Sequence, residues 1–215
     1  MPINLGKRHG YRGKTGYKLP SKLLFSDQFN RSNSIDNSFG DPANWFANWT
    51  NQGFNINGNK AETKCLVNNN VCSQAYYKAK KFVDKYFVEA TWYGLTGGSA
   101  CGIMGDDDGN SHALAFGVEF YGGAVQTRFY SGGTDAYPSS WVNNGLPSDT
   151  IPAAGQKIRM EFSGLNCSAY VNGILLYTVS RNVARVPPFG AGFFWKNITI
   201  GVGSMLWDDF KCGGL

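Results

Sequence analysis

Residues 157–180 read KIRMEFSGLNCSAYVNGILLYTVS. Ile158, Met160 and Phe162 alternate with Arg159, Glu161 and Ser163, the two-residue period of a strand with one dry and one wet face. Asn172-Gly173 then marks a tight hairpin, because both residues tolerate positive φ. Lys157–Ser163, Ser168–Val171 and Ile174–Ser180 are therefore expected to be successive antiparallel strands.

The same grammar extends in both directions. Strands are expected at Leu23–Phe29, Phe54–Thr63, Ser73–Lys80, Phe82–Leu95, Ala100–Met104 and His112–Tyr121, and again at Ala124–Tyr130, Ala191–Phe194 and Met205–Lys211. Gly122-Gly123 joins two of them, and Asp106-Asp107-Asp108-Gly109-Asn110 reads as another turn. No segment keeps a 3.6-residue apolar period, so little helix is expected. Composition agrees. In 215 residues, aromatics make up 15% and glycine numbers 28, which suits many short strands and tight turns. Apolar residues at 42% suffice for a core, and 16% charge is too little for a disordered or coiled-coil chain. The expected fold is all-β, an antiparallel β-sandwich behind an extended N-terminal arm. No apolar run reaches the roughly 18 residues that span a bilayer, and none at the N-terminus resembles a secretory signal. Synthesis in a cytoplasm without a leader is expected.

The positive charge is unevenly placed. Residues 1–22 carry Lys7, Arg8, Arg12, Lys14, Lys18 and Lys22 with no acid, interleaved with Tyr11, Tyr17 and four glycines. The rest holds 14 basic and 15 acidic residues, a net of −1, against +5 for the whole chain. The expected division is a basic anchoring arm at 1–22 and a sandwich domain at 23–215. The arm is read either as a solvated terminus or as a strip that docks on an acidic partner surface, with its tyrosines in pockets. Six cations would also suit phosphates, but no zinc finger, RNA-recognition signature or recognition helix accompanies them. Nucleic acid is not the expected partner.

Five cysteines, Cys65, Cys72, Cys101, Cys167 and Cys212, leave at least one thiol unpaired. Cys65 and Cys72 flank a hairpin-like segment that would set them opposite each other, whereas in a reducing compartment all five serve as small buried hydrophobes. His9 and His112 are the only histidines, which excludes a histidine triad or cluster, and no second closely spaced pair completes a zinc site. Asp106–Asp108 lacks the EF-hand glycine and bidentate Glu, so no motif supports calcium, and no cofactor is expected. Gly97-Gly98, Gly102 and Gly105 precede no Gly-Lys-Ser/Thr and form no phosphate loop.

Strand parity separates two faces. Glu89, Thr91 and Tyr93 share one parity, Glu119 and Tyr121 another, and Gln126, Arg128 and Tyr130 a third. If these strands are neighbours, the eight residues form one exposed sheet face, either a platform for sugars or a plain surface of cross-strand ion pairs. The stretch Tyr130–Gly145 is long, polar and ring-rich, the character of a binding loop. In it Asp135 and Asn143 suit sugar hydroxyls, while Tyr137 or Trp141 suits a pyranose face. The opposing reading has Trp141 plugging the end of the sandwich.

Several motifs together carry a family likeness. Phe25-Ser26-Asp27-Gln28-Phe29-Asn30-Arg31, Trp45 and Trp49 come first, then Phe87-Val88-Glu89-Ala90-Thr91 and Lys157-Ile158-Arg159-Met160-Glu161-Phe162. Tyr170-Val171-Asn172-Gly173 and Trp207-Asp208-Asp209-Phe210 complete the series. The set resembles concanavalin A-like (laminin-G-like) jelly rolls over roughly residues 23–212, most of all those on bacteriophage virion proteins. The resemblance implies that the Asp-x-Phe start and Asp-Asp-Phe end lie on adjoining strands. It also implies a virion structural role in head decoration or tail, with other virion proteins and cell-surface glycans as partners. Laminarinase-type members carry Glu-x-Asp-x-Glu on one strand, but Glu119 has no carboxylate two or four residues away, so an enzyme is not expected. The rival readings are a free lectin or carbohydrate-binding module, and a glycosidase pairing Glu89 with Glu119 across strands.

Overall fold

The computed structural model describes residues 22–35, 38–48, 52–65, 72–77, 82, 84–96, 99–107, 114–121, 124–131, 140–142, 150–180, 190–197 and 204–215. Fifteen strands and no helix are found among them. They are β1 (Lys22–Asp27), β2 (Trp45–Asn48), β3 (Gln52–Ile56), β4 (Ala61–Cys65), β5 (Cys72–Tyr77), β6 (Tyr86–Thr96), β7 (Ser99–Asp107) and β8 (Leu114–Tyr121). Then follow β9 (Ala124–Ser131), β10 (Ser140–Val142), β11 (Gln156–Ser163), β12 (Asn166–Val171), β13 (Ile174–Ser180), β14 (Gly190–Asn197) and β15 (Ser204–Gly214).

All pairings are antiparallel, in two sheets. The first runs β13-β12-β11-β6-β15-β4-β3, with β1 also on β15; the second runs β10-β9-β8-β7-β14-β5-β2. The expected strands lie within or around these, with three instructive departures. Phe54–Thr63 is two strands, because Asn57 and Lys60 exchange backbone hydrogen bonds across Gly58 (φ 58°) and Asn59 (φ 59°). The acidic turn begins later than expected, since Asp106 and Asp107 still belong to β7. Cys65 ends a strand of the first sheet and Cys72 opens one of the second, so the two do not stand opposite each other on paired strands.

The long strand β15 organises the first sheet. Along one side it pairs β6; on the other its Ser204–Trp207 portion pairs β4 and its Phe210–Gly214 portion pairs β1. A bulge between Asp208 and Lys211, with Asp209 at φ 50°, separates the two portions. The Asp-x-Phe and Asp-Asp-Phe motifs thus adjoin as the resemblance implies, Asp27 opposite Phe210.

Between the sheets lies a core rich in aromatic rings. Trp45, Phe29, Phe39, Phe54, Phe193 and Phe210 are at most 1% exposed and pack edge-on, tilted or stacked at centroid distances of 5.0–6.1 Å. Within this apolar mass Asp27 is 8% exposed. Its carboxylate accepts from Trp45 Nε1 at 2.8 Å, from the backbone N–H of Phe29 at 2.8 Å and from the Arg31 guanidinium, whose Nη1 also reaches Phe39 O at 3.1 Å. One acid therefore fixes the end of β1, the turn that holds Phe29 at φ 54° and the tryptophan of β2.

Cys101, Cys167 and Cys212 are buried. Cys101 Sγ receives Trp207 Nε1 at 3.2 Å and lies 2.9 Å from Thr63 Oγ1. Burial pushes the Cys101 and Cys212 thiols up from 9.0 to about 12. Above about pH 9 the unfolded chain therefore releases these protons while the fold retains them, so their contribution is whole below pH 9 and is lost toward pH 12. Denaturant titrations at pH 8 and pH 10 are expected to show lower stability at pH 10, and Cys101→Ala with Cys212→Ala should flatten that slope. Asp27→Ala strands three donors and is expected to cost about 3–5 kcal/mol. Asp84→Ala, at an exposed acid, should cost far less in the same measurement.

Candidate functional site

The two outer faces of the sandwich differ in chemistry. On the first sheet, Val88, Ala90 and Trp92 of β6 enter the core, which turns Glu89, Thr91 and Tyr93 outward. Glu89 accepts from Lys157 Nζ at 3.0 Å and Arg159 Nη1 at 3.2 Å, while Arg159 Nε donates to Glu161 Oε1 at 2.9 Å. Tyr170 O–H reaches the other Glu161 oxygen at 3.2 Å, and its phenol pKa is raised by burial first and Glu161 second. The Arg159 guanidinium lies 4.0 Å from the centre of the Phe87 ring. Lys60 Nζ stands 4.3 Å over Tyr93 and 3.8 Å from Asp208. This face spends its charges on one another across β15, β6, β11 and β12.

The second sheet presents a different surface. Cys101 and Ile103 of β7, Leu114, Phe116 and Val118 of β8, Phe129 of β9, and Ala191 and Phe193 of β14 enter the core. The alternate positions form cross-strand rows. One aligns Gln74, Phe194, Gly102, Gly117 and Arg128. A second aligns Tyr76, Gly192, Met104, Ala115, Tyr130 and Trp141. A third sets Ala100 against Glu119 and Glu119 against Gln126. Met104, Ala115 and Phe194 lie outside the intersheet core yet are at most 3% exposed. The middle of this face is therefore an apolar floor that is itself covered, not a solvated sheet surface.

Two glycines shape that floor. A Cβ on Gly102 would meet Phe116 O at 2.1 Å, and one on Gly117 would meet Cys101 O at 2.1 Å. The β7 and β8 backbones approach too closely there for any side chain. Beside them Arg128 is half-buried, and Gln126, with its amide oxygen turned to the guanidinium, accepts from Nη2 at 2.7 Å and Nε at 3.0 Å.

The single platform expected from the sequence does not exist. β6 pairs with β11 and β15, and β8 with β7 and β9, so Glu89, Thr91 and Tyr93 stand in one sheet and Glu119, Tyr121, Gln126, Arg128 and Tyr130 in the other. Glu89 and Glu119 therefore cannot flank one glycosidic bond. Packed sheets are about 10 Å apart, and Glu89 projects from the far side. Of the expected glycan-binding residues the structure brings together Glu119, Arg128, Tyr130 and Trp141, on β8, β9 and β10. The ring-rich stretch is partly a hairpin, since Ser140–Val142 pairs with Phe129–Ser131 and sets Trp141 opposite Tyr130. Asp135, Tyr137 and Asn143 lie outside the described residues, as do both histidines and the arm up to residue 21. Gly102, Met104 and Phe194 were not singled out from the sequence as parts of a surface. Strand alternation carried through β7 and β14 would have put them there. Among the described residues no three of His, Cys, Asp and Glu come together as metal ligands, and no helix is long and apolar enough to cross a membrane.

Comparison with protein-family models and with curated proteins returns no match. Solved structures do match. An endo-acting O-glycanase structure from members of the human gut microbiota that initiate mucin breakdown superposes with a TM-score of 0.60 at 13% identity, covering 90% of this chain and 100% of that one. The carbohydrate recognition domain of Emp47p gives 0.57 at 12%, covering 90% and 97%. A Bacillus subtilis protein of unknown function with a galectin-like fold gives 0.54 at 10%, covering 89% and 96%. The fold is a galectin-like, concanavalin A-like β-sandwich. At these identities the likeness extends to the fold alone.

Gly117→Ala forces its methyl into a backbone carbonyl. It is expected to destabilise the domain by about 1–3 kcal/mol in denaturant unfolding. Gly164→Ala, where a Cβ meets nothing within 4 Å but φ is +56°, should cost less.

Proposed function

We propose that the chain is a lectin-like glycan-binding protein without hydrolytic activity, and that it reads its ligand on the outer face of the second sheet. One observation carries this reading: the cross-strand row that sets Trp141 against Tyr130, Ala115, Met104 and Gly192, beside the row of Gly117 and Arg128. Aromatic positions at the edge of this covered floor suit the flat face of a sugar ring, and polar positions beside them suit hydroxyls. The other outer face lacks this character, because its carboxylates and cations pair with each other. Hydrolysis is disfavoured on the same geometry. The β8 positions in register with this floor are Ala115, Gly117 and Glu119, one carboxylate where a retaining or inverting mechanism uses two.

The basic residues of 1–22 supply the attachment in this proposal. They would hold the domain on an acidic surface, so that many weakly binding copies act together. The charge division supports that role, and the motif resemblance suggests a virion as the surface, with head or tail proteins as partners. The structural likeness adds nothing to that setting, which rests on the sequence alone.

A glycan array probed with the full chain tests the binding reading. Binding should fall by an order of magnitude or more in Trp141→Ala and Tyr130→Ala, and stay unchanged in Tyr93→Ala on the other sheet. Unchanged binding in Trp141→Ala and Tyr130→Ala alike would refute the site. Release of reducing ends from a bound glycan would refute the non-hydrolytic part, and Glu119→Gln should then be the first variant examined.

A further inference from the structure

We propose that β13 is the docking edge for a second copy of this chain, the two β13 strands pairing antiparallel about a two-fold axis at Thr178. β13 ends the first sheet, and among the described residues β12 is its one strand partner. The far edge of such a strand offers a row of backbone donors and acceptors to another chain. At the opposite end of the same sheet the edge is taken. Ser34 and Ile56 exchange backbone hydrogen bonds at 3.2 and 3.1 Å beside β3, and the Phe39 N–H donates to Phe54 O at 3.0 Å.

The β13 edge carries few of the features that keep strands apart. Its sequence, Ile174-Leu175-Leu176-Tyr177-Thr178-Val179-Ser180, holds no charge and no proline. Ile174 is 65% exposed and Leu175 53%, and Thr178 and Ser180 are exposed as well. Leu176 and Val179 are half-buried at the rim of the intersheet core. A bulge at Leu176, where Ala169 faces Tyr177 and Tyr170 faces Leu175, leaves Tyr177–Ser180 in regular register.

The charge pattern selects a second copy as the occupant. A strand that meets its own copy sets charges against like charges, which destabilises the pair, and β13 has none to set. The two-fold at Thr178 also keeps the faces in step. Tyr177 and Val179 both lie on the core side and would stand opposite each other across the junction. Thr178, which meets Ser168 on the outer side, would stand opposite its own copy. Such an axis runs perpendicular to the sheet, so like faces of the two copies look the same way. β13 stands over β9, to which the Tyr177 O–H is bonded, and β10 borders β9 at that side of the sandwich. Pairing therefore turns both second-sheet faces, with their Trp141 edges flanking the junction, toward one surface. The gain in avidity from that arrangement rests on the glycan-binding reading, and the pairing itself does not.

Sedimentation velocity of the full chain from about 1 to about 100 μM, in salt that screens the basic arm, tests the pairing. The unaltered chain is expected to reach the mass of a dimer at the upper concentrations. Thr178→Lys and Thr178→Glu each set like charges across the axis and should weaken association about tenfold or more, while their mixture should restore it. Ser26→Lys, at an exposed position of β1, adds the same charge and should associate as the unaltered chain does. A monomer at every concentration overturns the inference, and so does a dimer that Thr178→Lys leaves intact or a mixture that stays monomeric. Equal weakening in Ser26→Lys assigns the effect to net charge and overturns it too. Far-ultraviolet circular dichroism shows that each variant keeps its fold. The glycan array separates the two proposals: a monomer that binds glycans removes the pairing alone, and a dimer that binds none removes the glycan reading alone.

Discussion

The carboxylate of Asp27 is the fixed point of this sandwich. A carboxyl group 8% exposed among rings is tolerable because three donors are turned to it: the Trp45 indole, the Phe29 amide and the Arg31 guanidinium. Those bonds draw β2 of one sheet onto β1 of the other, and Asp27 itself stands opposite Phe210 on β15. Phe25 stacks on Tyr77 at 4.0 Å beside the same place, so the sheets are clamped by polar and aromatic contacts together. The spacing of the sheets at this edge sets how the rest of the core fills. At the other edge the Tyr177 hydroxyl donates to Thr127 O at 3.1 Å and ties β13 to β9.

With the sheets held in this way, the outer faces take on separate tasks. Along β6 and β11 the outward residues alternate in sign, and the ladder of Lys157, Glu89, Arg159 and Glu161 closes on itself. Such a surface is soluble and uncommitted. In the middle of β7, β8 and β14 the outward residues are Gly102, Met104, Ala115, Gly117, Gly192 and Phe194, and the row beyond them holds Lys196, Ala100 and Glu119. The close approach of Gly102 to Gly117 prevents substitution there, and Arg128 with Gln126 borders the floor. The close glycine backbones of β7 and β8, with buried apolar side chains beside them, are the feature that separates this face from its counterpart.

Much of the fold was legible because it rests on local chemistry. The alternation in Lys157–Ser163 and the Asn172-Gly173 turn gave three strands at nearly their true bounds, and the parity of β6 was read correctly. The hairpin hidden in Phe54–Thr63 carried the same Asn-Gly signal at Asn57-Gly58, but Ile56 and Ala61 bracket so short a turn that the apolar run looked continuous. What local chemistry does not encode is which strands become neighbours. Glu89 and Glu119 each sit on a clear two-residue period, yet the chain crosses between sheets after Thr96, and that crossing divides the surface expected from them. Trp141 was legible as a ring near sugar-like polar groups. Its partnership with Tyr130 depends on β10, three residues too short to declare a period.

The central claim is that ligand rests on one outer face and not the other. Backbone amide shifts of the nitrogen-15-labelled chain, followed by NMR during titration with the tightest-binding oligosaccharide, examine it most directly. Perturbations should cluster at 100–104, 115–119, 126–130 and 190–194, with 87–93 and 157–161 still. Perturbations centred on the ion-paired ladder of β6 and β11, with the glycine-floored face silent, would contradict the account.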